Sequence, residues 1–84
     1  MNKYIVLCGN FVSSGENAFS LEYDWDFQEF DSMDEAIEHG LTLDRSDDFN
    51  IAEIIGKRVM ALYWMENKLE EPSEHLREIE RQIF

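Results

Sequence analysis

The chain has 84 residues, of which 44% are apolar and 13% aromatic; with 19 Asp and Glu against 7 Lys and Arg its formal charge is −12. That charge excludes direct binding of nucleic acid or anionic membrane and favours basic protein partners, while the aromatic content is too high for a disordered acidic tail. One small domain over residues 1–84 is expected, without an internal disulfide, because Cys8 is the single cysteine.

Residues 3–8, Lys-Tyr-Ile-Val-Leu-Cys, form an apolar, β-branched run closed by Gly9-Asn10 and read as a strand. The same two residues cut the run before a signal-peptide core develops, and the longest apolar run, Val59 to Met65, is too short to span a bilayer. A cytoplasmic location is therefore expected. Val12 to Asn17, with Ser13-Ser14-Gly15, reads as a polar turn. From Glu22 to Phe27 acid and aromatic residues alternate strictly. Successive side chains of a strand point to opposite faces, so Tyr23, Trp25 and Phe27 should share the core face and Glu22, Asp24 and Asp26 the wet one. Three like charges along one face repel, a cost that a merely structural strand does not explain.

Ser32-Met33-Asp34-Glu35 fits a capping box, with Ser32 as N-cap and Glu35 closing the reciprocal bond. Met33, Ala36 and Ile37 supply the inner stripe of the helix, Glu38 its wet side and Gly40 the residue just past its end. Phe49 to Met65 admits two readings. Ile51, Ile55, Val59, Leu62, Met65 and Leu69 mark one face of a long helix, but Gly56 inside it would cost roughly 1 kcal/mol. The β-branched residues around Gly56-Lys57 favour a hairpin, which we adopt. In the last helix Pro72 suits the first turn, and Leu76, Ile79 and Ile83 follow helical spacing. Arg77 and Arg81 line up at i, i+4 beside acids at 74, 78 and 80. The expected fold is α+β, in the order β-β-α-β-β-α, with a four-stranded antiparallel sheet and two helices on one face.

Catalytic and cofactor signals are weak. Gly9 to Gly15 follows a strand, but Glu16-Asn17 stands where a phosphate loop needs Lys and Ser or Thr. Asp44, Ser46, Asp48 and Asn50 resemble only the start of a calcium loop, with Phe49 and Ile55 where its glycine and bidentate glutamate belong. One cysteine and two distant histidines, His39 and His75, give no zinc set. Nineteen acids make carboxylate pairs by chance, and Cys8 lies within an apolar strand. No enzyme, metal or cofactor is expected.

Binding through displayed charge remains. Between Glu16 and Glu53 there are thirteen acids and one base, Arg45, so this stretch alone holds −12 while its flanks contribute +1 and −1. Its candidate partner-binding residues are Glu22, Asp24, Asp26, Glu29, Asp31, Asp34, Glu35, Glu38, Asp44, Asp47 and Asp48. Carboxylates on one strand face repeat at roughly 6.6 Å, twice the rise per residue. A rigid array of anions presents to a basic groove much what a nucleic-acid backbone presents.

In size, charge and the aromatic-acid stretch at 22–27, the chain resembles the small acidic anti-defence proteins of phages and mobile elements: anti-CRISPR proteins, anti-restriction DNA mimics and inhibitors of DNA-repair glycosylases. The resemblance is to a class and rests on no family-specific motif. It implies a non-enzymatic inhibitor, in the host cytoplasm, that occupies the basic groove of a host protein handling nucleic acid. The competing expectation is a homodimeric interaction module that associates through the apolar segment 59–65, with the acids as a solvated rim.

Overall fold

One long strand organises the sheet. In the computed structural model, which describes residues 2–16, 18–43 and 49–84, β1 runs from Lys3 to Gly15. Its first half pairs with β3 (Phe49–Ile55) and its second half with β2 (Ala18–Asp24). β4 (Arg58–Trp64) and β5 (Asn67–Glu70) complete the antiparallel order β2-β1-β3-β4-β5. Helix α1 (Met33–Leu41) joins β2 to β3, and α2 (Glu74–Ile83) follows β5. The α+β class is as expected, but the sheet has five strands and the order is β-β-α-β-β-β-α.

The hairpin reading of 49–65 holds, with Gly56 at φ 61° in the two-residue turn between β3 and β4. A left-handed φ suits glycine, which has no β-carbon to crowd the backbone. Two local readings need correction. Ser13-Ser14-Gly15 belongs to β1, because pairing with β2 (Ser13 opposite Phe19, Gly15 opposite Ala18) overrides the turn propensity of those residues. β5 carried no alternation in its four residues; it forms because the Met65-Glu66 turn, with Met65 at φ 54°, returns the chain beside β4.

The helices lie on opposite faces of the sheet, not on one. Ile5 and Leu7 of β1 point to the face where Ala52, Ile54, Val59 and Leu62 meet Leu76, Ile79 and Ile83 of α2. Val6, between them, points to the other face and packs with Ile51, Phe49 and Ala36 of α1. The central strands are apolar on both sides, and such strands need cover on both. Residues 59–64 of the apolar segment 59–65 belong to interior strand β4, and Val59, Ala61 and Leu62 are buried in the chain's own core.

Side chains set the helix ends. Ser32 Oγ accepts from the Glu35 N–H at 3.2 Å, one of the two bonds of a capping box. Ser73 Oγ accepts from the Leu76 N–H at 3.4 Å, so Pro72 precedes the cap of α2 and lies outside its first turn. Gly40 is not past the end of α1. It is buried within the helix, and Thr42 is the C-cap.

α2 also closes backbone that the strands leave unpaired. β5 pairs with β4 only from Leu62 onward. At the start of β4, the Val59 N–H donates to Glu80 Oε1 at 2.8 Å, and Arg77 Nη2 donates to the Val59 carbonyl. Arg77 and Glu80 are themselves paired at 3.0 Å. Across the sheet, the Tyr23 N–H donates to Gln82 Oε1 at 2.9 Å, and Trp25 Nε1 donates to the Ile83 carbonyl at 3.1 Å. Edge groups that would otherwise invite another strand are thereby occupied.

Candidate protein-interaction surface

Tyr23 and Trp25 pack against the core beneath α2, so alternation along β2 sends Glu22 and Asp24 to the opposite face, the one that carries α1. Both are exposed, and Asp24 accepts from Asn10 Nδ2 at 3.3 Å. The strand ends at Asp24. The expected row of three carboxylates is therefore two long.

Asp26 has another task. Its carboxylate accepts from the Gln28 N–H and from Gln28 Nε2, each at 3.3 Å, and stands 2.5 Å from His39 Nε2 on α1. His39 in turn packs its ring 5.1 Å from that of Phe30. An aspartate that binds the backbone two residues on shapes a local turn, and the turn carries Phe27 out of the strand. Phe27 was expected in the core with Tyr23 and Trp25. It is instead 76% exposed, at φ 64°. The alternation gave no sign of this.

Glu29 and Asp31 flank Phe30, whose backbone exchanges two hydrogen bonds with Tyr4 (2.9 and 2.8 Å) and pins the connection to the start of β1. Both acids are exposed. Asp31 pairs with Lys3; its hydrogen bond and charge, with smaller contributions from Glu29 and Glu35, raise the Lys3 ammonium above its usual range. Asp34, Glu35 and Glu38 stand exposed on α1, the first two complementing the positive end of the helix. The structure thus places Glu22 and Asp24 on the α1 side of the sheet and gathers Glu29, Asp31 and Glu35 around Lys3. Asp44, Asp47 and Asp48, with the whole calcium-like stretch 44–48, lie outside the described residues.

The charges of β5 and α2 are arranged differently. Glu70 pairs with His75, Glu71 with Lys68 at 3.5 Å, Glu78 with Arg81 at 2.7 Å and Glu80 with Arg77. Among the described residues no ion pair is made by Glu22, Asp24, Glu29, Asp34, Glu35 or Glu38. Elsewhere, the Tyr63 hydroxyl donates to Glu53 Oε1 at 3.0 Å; burial first, then this bond and the Glu53 charge, push Tyr63 up to about 12. Among the described residues no group of three His, Cys, Asp or Glu converges as a metal site, and no helix is long and apolar enough to cross a membrane.

Compared with protein-family models, with curated proteins and with solved structures, the chain matches none.

Proposed function

We propose that this chain is a non-enzymatic, protein-binding inhibitor of the anti-defence type, which presents its acidic surface to the basic nucleic-acid-binding groove of a partner protein. The observation that carries the reading is the contrast in charge pairing. Of the acids on and between β5 and α2, Glu70, Glu71, Glu78 and Glu80 each face a His, Lys or Arg of the same chain and Glu74 does not, whereas the six exposed acids Glu22, Asp24, Glu29, Asp34, Glu35 and Glu38 make no ion pair among the described residues. Unmatched like charges raise the free energy of the folded monomer. A cationic partner relieves that repulsion on binding, and the field of the array steers the encounter.

The test is competition. The protein, immobilised at low ionic strength, is used to capture partners from a bacterial lysate, and duplex DNA is then added. Release of a nucleic-acid-handling protein by DNA, and steep weakening of its capture with salt, are the expected results. A partner held together with DNA, or held equally at high salt, contradicts the proposal.

A further inference from the structure

The sheet has two edge strands, β2 and β5. β5 carries the usual protection of an edge: it is four residues long, its register with β4 shifts, and Lys68 stands on it. β2 has seven residues and keeps one register with β1 from Phe19 to Asp24. The direction of its backbone groups follows from a bond to α2. Along an antiparallel pair, residues facing each other alternate between exchanging both backbone bonds and turning both groups away. The Tyr23 N–H donates to Gln82 Oε1 at 2.9 Å, so it points away from β1. Leu21 and Phe19 fall on the same beat and turn their N–H and C=O groups outward too. Gln82 occupies the Tyr23 donor, but among the described residues no hydrogen bond engages the outward groups of Leu21 and Phe19.

The side chains of the strand select what pairs there. Leu21 lies beside Tyr23 on the α2 face, where both approach Gly9, and is 41% exposed. Glu22 and Asp24 stand exposed on the α1 face. A strand added to this edge therefore meets an apolar side chain on one face and carboxylates on the other. A second copy of the chain would bring a further −12 and is repelled. The complementary strand alternates apolar and basic residues. We propose that the outer edge of β2 takes up an extended segment of the partner protein, antiparallel like every pairing in this sheet, with an apolar residue across from Leu21 and Lys or Arg across from Glu22. In strand addition of this kind main-chain bonds supply affinity, and alternate side chains choose the partner. This rests on the charge-display reading above and adds to it the strand on which the partner is held.

The test uses a short fluorescein-labelled peptide of alternating lysine and valine, titrated with the intact protein across a salt series. Two further versions carry N-methyl groups on the valine amides or on the lysine amides, and all three have the same charge. A valine across from Leu21 exchanges both backbone bonds with it, whereas a lysine across from Glu22 turns its N–H away. Methylated valines should therefore weaken binding about tenfold or more, because each methyl removes a donor to the edge, and methylated lysines should not. Glu22→Gln should weaken binding of the unmodified peptide about two- to fivefold. Glu66→Gln, an equal loss of charge in the turn before β5 at the far edge, should have less effect. If the two methylated peptides bind alike, or if the two substitutions act alike, β2 is not the docking strand and the inference is overturned, while the charge reading survives. If binding of the unmodified peptide does not weaken as salt rises, the charge reading itself fails, and the inference with it.

Discussion

The Phe49 ring fills the space that a side chain on Gly40 would need: an ideal β-carbon there would lie 2.6 Å from the ring. This contact seats α1 on β3 and accounts for a glycine inside a helix, where glycine normally costs about 0.5–1 kcal/mol relative to alanine. Gly40→Ala should therefore destabilise the protein by about 1–3 kcal/mol, as overpacking does, although alanine is the better helix former. Urea unfolding measures it. A gain in stability would show that Phe49 moves aside freely.

Arg77 and Glu80 stand in for a missing strand beside Val59. Glu80→Ala leaves the Val59 N–H without its acceptor and Arg77 without its partner, and should cost about 1–3 kcal/mol. A change within about 0.5 kcal/mol in the unfolding midpoint would mean that water replaces the clip.

Replacement of Phe27 by glycine should raise stability by about 0.5–1 kcal/mol, since relief of a left-handed residue outweighs the added freedom of the unfolded chain. The thermal midpoint reads this. A clear loss would show that the contact of the Phe27 ring with Trp25 outweighs the backbone strain.

Tyr63 should be the last tyrosine to ionise, because burial and the Glu53 carboxylate both disfavour its phenolate. The sign follows from linkage: below pH 10 both states keep the proton and stability is unaffected. Between pH 10 and about 12 the unfolded chain ionises first, and stability falls. Phenolate absorbance of the parent against Tyr63→Phe should lose its most alkaline step. Loss of an earlier step instead would contradict the assignment.

Local signals in the sequence were read correctly at some element ends and not at others, since Gly40 lies inside α1 and Pro72 ahead of α2. The Ser32 cap, the Gly56-Lys57 hairpin and the Leu76, Ile79, Ile83 stripe each depend on residues within one or two turns. What depends on distant partners was not legible. Ser13 to Gly15 becomes strand only because β2 lies alongside, and β5 only because β4 offers an edge. The placement of α1 and α2 on opposite faces was present in the doubly apolar Ile5-Val6-Leu7, but alternation read one strand at a time did not reveal it. In the candidate surface, the exposure of Glu22, Asp24, Glu29, Asp31, Asp34, Glu35 and Glu38 followed from polarity. The diversion of Asp26 into a turn with His39 did not, since it links residues on separate elements.

The central claim is that unmatched carboxylates bind a cationic protein, and Glu22→Gln combined with Glu38→Gln tests it most directly. Neither acid makes an ion pair among the described residues, and the amide preserves size. Asp26 is left intact, because its replacement would also disturb the Phe27 turn. Removing two like charges should leave the melting temperature unchanged or slightly higher. Binding of a fluorescein-labelled peptide of alternating arginine and serine, measured by anisotropy across a salt series, should weaken at low salt and lose part of its salt dependence. Parent-like affinity at low salt with an unchanged salt slope would contradict the account.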